Sequence, residues 1–294
     1  MKNKGLTKVD LIFETIDVRK VMTKAFEMTS DEIINEILES GLKGRGGAGF
    51  PTGLKWKYTA AEQEPEKYIV CNADEGEPGT FKDREILDKA ASKVYAGMAI
   101  AGKAMGSKKG FIYLRGEYRF LLPQLFVELH KFHKMIHEIG YDFTIEYRMG
   151  SGAYICGEES ALFESIEGFR GEPRNKPPYP TVSGLFSKPT SINNVETLVT
   201  AVMIIEKGAN EYVKLGTKDS RGSKVFSISG DTPIPGIFEL ELGMTVQEFV
   251  NEFGDGDTKA VQVGGASGFC VPRKRFGDTI IGFEGVPTGG SMKL

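Results

Sequence analysis

Short apolar segments alternate with helix-type segments between residues 67 and 166, and this alternation constrains the fold more than any other feature. Three segments have the length and apolar content of buried strands: Lys67–Cys71, Gly110–Leu114 and Asp142–Arg148. The intervening patterns predict helices at Asp83–Met105, at Glu117–Ile139 with Pro123 in its early part, and at Glu158–Ile166. Tyr154–Cys156 either extends the third strand or forms a separate short piece. This order predicts an α/β fold with a parallel sheet covered by helices.

A glycine-dense turn lies at Gly44–Trp56. Its glycines allow positive φ angles and expose backbone N–H groups without obstruction by Cβ atoms. Arg45 and Lys55 are expected to bracket these donors with positive charge, and Phe50 and Trp56 to offer flat faces. Together these groups favour a flat phosphorylated ligand such as a flavin or a dinucleotide. The alternative is a tight turn that only joins two elements.

The string Gly44-x-Gly46-x-x-Gly49 also has the spacing of the dinucleotide-binding fingerprint. That fingerprint follows a strand, whereas Ser30–Ser40 has its isoleucines on one helical face. Thr29 and Glu32 have capping-box spacing, and Gly41 stands where a helix would end. A helix followed by a glycine loop excludes an ordinary Rossmann first turn, and the domain is expected to be an atypical Rossmann-like one.

Two acidic turns accompany the predicted strands. Asp74, Glu75 and Glu77 follow the first strand, and Glu158 and Glu159 open a helix. In parallel sheets, ligands bind beyond the carboxyl ends of the strands, so both turns are expected beside one crevice. Such carboxylates can perform acid–base chemistry, bind a metal ion, or accept hydrogen bonds from sugar hydroxyls and repel a ribose 2′-phosphate. The nearby glycine loop favours sugar recognition over magnesium, and the alternative is a solvated acidic surface.

A proline-rich loop follows at Phe169–Pro189, and its stiffness around Tyr179 predicts an ordered wall. Ser191–Asn194 then supplies capping residues for a helix predicted at Val195–Ile205. A helix N-terminus edged with asparagine is either an anion site or a plain N-cap.

The pattern changes at about residue 216. Strands are predicted at Lys224–Ser229, Ile237–Leu240 and Lys259–Val263, with a helix at Val246–Phe253 capped by Thr245. This order predicts a small β-grasp-like domain for docking or spacing, and Gly289–Leu294 shows no closing element. The expected divisions are residues 1–52 (an arm to about residue 28, a helix and the glycine loop), 53–215 (the ligand-binding α/β domain) and 216–294 (the β-grasp-like domain).

The composition narrows the function classes. The 294 residues are 40% hydrophobic and 26% charged, and the net charge of −3 argues against nucleic-acid binding. The best apolar run, Leu198–Ile205, is too short to span a bilayer and the N-terminus has no apolar signal segment, so no membrane insertion and a cytoplasmic location are expected. Cys71, Cys156 and Cys270 are too far apart in the sequence for a disulfide framework or a metal site.

Several segments together resemble the NADH- and FMN-binding subunit of respiratory complex I: Gly44–Trp56, Cys71–Gly79, Gly157–Leu162 and Lys188–Thr197. The related proteins include the diaphorase subunits of NAD-linked and electron-bifurcating hydrogenases and of NAD-dependent formate dehydrogenases. The four segments occur in the family's order within about Ser30–Pro272. Together they are a more specific sign of the family than any one of them alone. The last stretch resembles the family's β-grasp domain of the soluble-ligand-binding type.

The resemblance implies the residues that bind each cofactor. FMN is implied to contact Gly44, Gly46, Lys55, Asn72, Asp74, Glu75, Gly157, Glu158, Asn193 and Asn194. NADH is implied to stack on the flavin and to be held by Phe50, Tyr58, Glu77, Glu159, Lys176 and Tyr179. Tyr58 and Tyr179 stand where the family often has Phe, and Tyr keeps the stacking face while adding a hydroxyl.

The resemblance also implies the chemistry, which is hydride transfer from C4 of the nicotinamide to N5 of the flavin. The protein orients the reactants and supplies no general acid or base. Lys55 and Glu77 are expected in supporting roles, with Lys55 stabilising reduced flavin or pairing with Asp74 or a phosphate. The family continues into a domain whose clustered cysteines hold a [4Fe–4S] centre, and this sequence has no such cluster. Electrons are therefore expected to pass to an iron–sulfur subunit, or the sequence is a piece of a longer subunit.

Two other functions compete with this hypothesis. A non-catalytic scaffold could keep the fold and dock partners, but the acidic and asparagine residues argue against it, and titration with FMN and NADH separates the two hypotheses. A kinase-like phosphate binder is disfavoured because no P-loop Gly-Lys-Ser/Thr sequence follows a strand.

Overall fold

The computed structural model describes residues 6–294. Its helices are α1 (Val18–Glu27), α2 (Ser30–Ser40), α3 (Thr52–Ala61), α4 (Lys82–Met105), α5 (Leu122–Glu138), α6 (Glu159–Ile166), α7 (Val195–Lys207), α8 (Ala209–Tyr212) and α9 (Val246–Phe253). Its strands are β1 (Tyr68–Ala73), β2 (Lys109–Leu114), β3 (Thr144–Met149), β4 (Thr190–Asn194), β5 (Ser223–Ser229), β6 (Gly236–Glu241), β7 (Ala260–Val263), β8 (Phe269–Pro272) and β9 (Ser291–Lys293). Short 3-10 helices occur at Gly116–Leu121, Tyr154–Gly157, Leu185–Ser187 and Arg273–Arg275.

The first four strands form one parallel sheet in the order β3-β2-β1-β4. This sheet confirms the predicted α/β fold. Asn72 of β1 pairs with Asn194 of β4, so the carboxyl ends of these strands lie side by side. The acidic turn after β1 is therefore next to the start of α7, at the edge where parallel sheets bind their ligands.

Helices cover both faces of this sheet. On one face α4 and α7 pack so closely that a Cβ on Gly97 would lie 2.4 Å from the carbonyl oxygen of Leu198. On the other face Val70 and Phe111 pack against Leu162 of α6. Because both faces of β1 and β2 are buried, these two strands are nearly continuous apolar runs rather than alternating ones.

The helix predicted at Ser30–Ser40 is confirmed as α2. Both capping-box hydrogen bonds between Thr29 and Glu32 are present, and Gly41 ends the helix in the left-handed region at a φ of 66°. The helix predicted at residues 117–139 begins only at Leu122, after a 3-10 turn. Proline fits the first turn of a helix but not its interior, so Pro123 fixes this start.

Some elements were not predicted. The arm expected over residues 1 to about 28 contains a helix, α1, which was not predicted. Residues 1–5 lie outside the described part of the chain. The sequence of α3 has little amphipathic pattern, so the helix was not predicted. Glycine is needed at position 53 because a Cβ there would lie 2.8 Å from Leu38. Ser191 and Asn193 are unusual in strands, and β4 forms because it pairs with β1.

The remaining strands form a second sheet in the order β6-β5-β9-β7-β8, with α9 packed on it. This is the predicted β-grasp arrangement, and the Thr245 cap of α9 is confirmed. The expectation that residues 289–294 add no closing element is wrong, because β9 lies between β5 and β7. A strand of three residues shows no periodicity, so the sequence gives little sign of it.

Within the described residues, no helix is both long enough and apolar enough to cross a bilayer. Nor does any group of three or more His, Cys, Asp or Glu side chains in residues 6–294 form a possible metal site. Cys71, Cys156 and Cys270 are free thiols; the first two are buried, as expected of small apolar groups, whereas Cys270 is exposed.

Candidate functional site

Two adjoining cavities lie at the carboxyl edge of the parallel sheet, with volumes of about 750 Å³ and about 460 Å³. Both are lined by Gly46, Asn72, Gly157, Glu158 and Asn194. The larger cavity is further lined by Gly44, Phe50, Lys55, Tyr58, Glu159, Lys176, Tyr179 and Asn193. The smaller one is further lined by Asp74, Glu75 and Glu77. The structure thus brings every residue that the family resemblance implied for FMN or NADH to these walls, and the ligand roles of these residues remain predictions.

The glycine loop, residues 44–49, connects α2 to α3. The backbone N–H of Gly44 donates to the Phe50 carbonyl at 2.9 Å and closes the loop. Gly47 and Gly49 have φ angles of 117° and 69°, which only glycine adopts readily. A Cβ on Gly49 would lie 2.2 Å from the ring of Phe283, so the segment between β8 and β9 covers the loop from outside.

Arg45 and Trp56 point away from the cavities, contrary to the prediction. The buried Arg45 guanidinium donates to the Tyr212 hydroxyl and to a backbone carbonyl, both at 2.6 Å. The indole of Trp56 is fully buried, with its Nε1 3.4 Å from Oδ1 of Asn193. The sequence shows that Arg45 is charged and that Trp56 is aromatic, but it does not show which way either side chain points. Of the two predicted flat faces, only Phe50 lines a cavity.

Lys55 lies in the wall of the larger cavity. Its Nζ donates to the Ile192 carbonyl at 2.8 Å, so the alternative in which it pairs with Asp74 is wrong. Desolvation lowers the pKa of Lys55, although the nearby Glu159 carboxylate partly opposes the shift. An ammonium group has three N–H donors, and two of these remain for other acceptors.

The two acidic turns contact each other, as the parallel sheet predicts. The Asn72 side-chain amide donates to the Gly157 carbonyl at 2.9 Å. The Tyr154 hydroxyl donates to Glu77 at 2.5 Å. Tyr154 was not among the predicted site residues, although it lies just before the predicted Gly157 segment in the sequence.

Glu75 is buried at the start of α4. It accepts hydrogen bonds from the backbone N–H of Asp83 at 2.9 Å and from the Tyr118 hydroxyl at 2.8 Å. Burial, together with the nearby Asp83 carboxylate, raises the pKa of Glu75 to about 7. Burial also raises the pKa of Asp74 to about 6. Because Glu75 is 6% exposed and accepts hydrogen bonds from the protein, the solvated-surface alternative is wrong for this carboxyl.

The raised pKa of Glu75 predicts how the stability of the ligand-free protein changes with pH. The folded protein holds a proton that the unfolded chain releases, so the free energy of unfolding should fall as pH rises from about 4.5 to about 7. The contribution of Glu75 is on the order of 2 kcal/mol. Urea unfolding of the wild type and of Glu75→Gln across this range measures it. Glu239 has a similarly raised pKa and is present in both proteins, so only a difference between the two pH curves reports on Glu75. Parallel curves would therefore contradict a role for Glu75.

Glu77 joins the acidic turn to the segment between β7 and β8 of the second sheet. Besides Tyr154, it accepts from the hydroxyl of Ser267 at 2.6 Å and from its backbone N–H at 3.2 Å. Partial burial alone would raise the pKa of Glu77, but the hydrogen bonds from Ser267 and Tyr154 lower it overall. The smaller cavity is also lined by Gly264, Ser267 and Gly289, which lie beyond residue 216. The expectation that this part of the chain serves only for docking or spacing missed its contribution to the cavity wall. No sequence motif marks Ser267.

Lys176 links the proline-rich loop to the second acidic turn. Its Nζ lies 3.3 Å from Glu158 and forms a shorter ion pair with Glu159. Glu158 also caps α6 by accepting from the Ser160 backbone at 2.9 Å. With Lys176 and Tyr179 in the lining of the larger cavity, the loop forms a wall as predicted.

Asn194 is an N-cap in the structure. Its Oδ1 accepts from the Glu196 backbone at 3.0 Å, and its Nδ2 donates to Asp83 at 2.6 Å. The neighbouring Asn193 amide donates to the Ser191 hydroxyl at 3.2 Å. The plain N-cap interpretation is therefore confirmed, while anion binding at this helix start stays a prediction.

Known proteins are similar to this chain in sequence and architecture. Residues 37–203 match the family model described as the Nuo51 FMN-binding domain. The chain is 44% identical over 285 residues to the NAD-reducing hydrogenase HoxS subunit alpha of Cupriavidus necator, covering 95% of this chain and 47% of that protein. It is 39% identical over 285 residues to the F subunit of the NADH-quinone oxidoreductase of Escherichia coli, covering 93% of this chain and 63% of that protein.

A solved structure agrees with these matches. The crystal structure of an NAD⁺-reducing [NiFe]-hydrogenase in the air-oxidized state superposes with a TM-score of 0.90 at 41% identity, covering 96% of this chain and 49% of that one. The chain thus spans about half to two thirds of the length of these proteins. The family match includes the glycine loop, both acidic turns and the asparagine pair. The chain belongs to the family of the Nuo51 FMN-binding domain.

Proposed function

We propose that this chain is a module that transfers hydride between NADH and FMN. The observation that carries the proposal is the convergence of separate segments, residues 44–49, 72–77, 157–159 and 193–194, on two adjoining cavities. They surround a space typical of cofactor sites, which measure roughly 300–1,000 Å³. Backbone donors, side-chain amides, a lysine and carboxylates line this space, and the family match supports the same function.

The FMN site is proposed at Gly44, Gly46, Lys55, Asn72, Asp74, Glu75, Gly157, Glu158, Asn193 and Asn194. The bare glycine backbone fits a planar ring. A Cβ on Gly46 would lie 3.3 Å from the Cβ of Asn194, and one on Gly157 would lie 3.5 Å from the Asp74 carbonyl. The amides and Lys55 donate, while Asp74 and Glu75 can accept or, when protonated, donate hydrogen bonds. When bound, FMN supplies the ring that exchanges hydride.

The NADH site is proposed beside it. Phe50, Tyr58 and Tyr179 have half-exposed rings in the wall of the larger cavity, suited to stacking. The carboxylates of Glu77 and Glu159 suit ribose hydroxyls and disfavour a 2′-phosphate. Protein groups orient the two cofactors, and no protein acid or base takes part.

Electrons are proposed to leave FMN for an iron–sulfur centre that residues 6–294 do not ligate, since no metal site occurs among them. The similar Cupriavidus and Escherichia proteins are named as subunits, which supports a partner in a larger redox complex. We also propose a cytoplasmic location, in which the free cysteines would stay reduced. The divisions at residues 1–52, 53–215 and 216–294 remain our proposal for the domains.

Reconstitution with FMN tests this function. The purified protein should turn yellow, bind FMN in an equal molar amount, and then use NADH to reduce an artificial electron acceptor. Protein that stays colourless contradicts the FMN site. Protein that binds FMN but never oxidises NADH supports the scaffold alternative.

A further inference from the structure

Lys224 on β5 contacts the glycine loop although it does not line either cavity. Its side chain is 3% exposed. Its Nζ donates to the backbone carbonyl of Arg45 at 2.6 Å. A strand of the second domain therefore holds a backbone atom of the loop that lines the proposed FMN site.

The backbone of Arg45 is held on both sides, by α7 at its N–H and by β5 at its carbonyl. The Arg45 N–H donates to Oγ1 of Thr197 on α7 at 2.9 Å, and the Arg45 carbonyl accepts from Lys224 on β5. In a trans peptide, the C=O and the following N–H point in opposite directions. Lys224 therefore sets the direction of the Gly46 N–H, and Gly46 lines both cavities.

Glu196 holds Lys224 in place. Its Oε2 lies 3.3 Å from Lys224 Nζ and 3.0 Å from Lys82 Nζ, while its Oε1 accepts from the Val225 backbone at 2.8 Å. Burial alone would raise the pKa of Glu196, but Lys224 and Lys82, together with Arg45 and the Val225 N–H, lower it overall. Lys82 in turn reaches Asn194 at 3.2 Å, so this buried ion cluster extends to the cavity wall.

The protonation state of Lys224 does not decide its contact with the loop. Burial lowers the pKa of Lys224 to about 7, although Glu196 opposes the shift. Both the amine and the ammonium form carry N–H groups that can donate to the Arg45 carbonyl.

We propose that Lys224 is a positioning residue for the glycine loop, through which the second domain takes part in FMN binding. The inference rests on the proposed function and adds to it a residue outside the cavities. Lys224 acts on the Arg45–Gly46 peptide and touches no reacting group.

The test compares Lys224→Met with Lys93→Met. Lys93 is a matched control because it is also buried and donates to backbone carbonyls, those of Ile12 and Glu14, but lines neither cavity. Lys224→Met should raise the Kd for FMN by about 10- to 100-fold, because the Arg45 carbonyl would lose its donor and the Gly46 N–H its fixed direction. Lys93→Met should change it by less than about twofold, although both substitutions lower the Tm.

A second readout separates positioning from chemistry. At saturating FMN, NADH turnover by Lys224→Met should return to within about threefold of the wild type. If Lys224→Met does not fold, Lys224→Ala, which also lacks an N–H donor, is compared with Lys93→Ala by the same criterion.

An FMN Kd within about twofold of the wild type for the Lys224 variant would overturn the inference. Equal weakening by the Lys93 variant would also overturn it. Failure of the wild-type protein to bind FMN is a different result, which would overturn the proposed function itself.

Discussion

Gly46→Val is expected to abolish retention of FMN, with a Kd raised by more than about 100-fold. A Cβ at this position would already lie 3.3 Å from the Cβ of Asn194. The two methyl groups of valine add further bulk at a residue that lines both cavities. The FMN content of the purified variant and its Kd, measured by quenching of FMN fluorescence, test this result.

Gly277→Val is the matched control. Gly277 is exposed, and a Cβ there would meet no atom within 4 Å. This variant should bind FMN as the wild type does. Purification of Gly46→Val with an equal molar amount of FMN would place the cofactor elsewhere.

Glu159→Ala should weaken NADH binding about 10-fold and shift the ratio of kcat/KM for NADPH over NADH upward by about 10- to 100-fold. In the wild type the Glu159 carboxylate pairs with Lys176 and lines the larger cavity. Its removal takes away an acceptor for ribose hydroxyls and frees the Lys176 ammonium for a 2′-phosphate. Steady-state kinetics with both nucleotides measure the change.

Glu172→Ala is the control for this prediction, because Glu172 is an exposed carboxylate paired with Arg170 and does not line the cavities. It should leave both nucleotides unaffected. Unchanged constants for NADH and NADPH in Glu159→Ala would refute the assignment of Glu159.

Elements with local signals could be predicted from the sequence. The capping boxes of Thr29 and Thr245 mark the starts of α2 and α9, and Gly41 marks the end of α2. The apolar runs of β1 and β2 are evident because both faces of the sheet are buried. These signals suffice for the fold class and for the order of the site segments.

Elements that depend on distant partners could not be predicted. The polar strand β4 forms through its pairing with β1, and the short β9 through its pairing with β5 and β7. The same limit applies to side chains in the site. Arg45 turns inward to Tyr212, and Ser267 reaches Glu77 from 190 positions away in the chain.

The residues proposed to bind FMN and NADH could be predicted from the sequence, because their segments follow parallel strands or carry the family resemblance. The contribution of the second sheet and its loops could not be predicted, since Lys224 and Ser267 lie in segments without a motif. Their contacts become evident only when both sheets are folded together.

Anaerobic titration of the FMN-loaded protein with NADH tests most directly the claim that the glycine loop and the two acidic turns bring NADH and FMN together. Because a hydride carries two electrons, the visible absorbance of the flavin should bleach in proportion to added NADH and be lost at an equal molar amount. A flavin that stays oxidised in excess NADH, yet bleaches with a chemical reductant, would contradict the account.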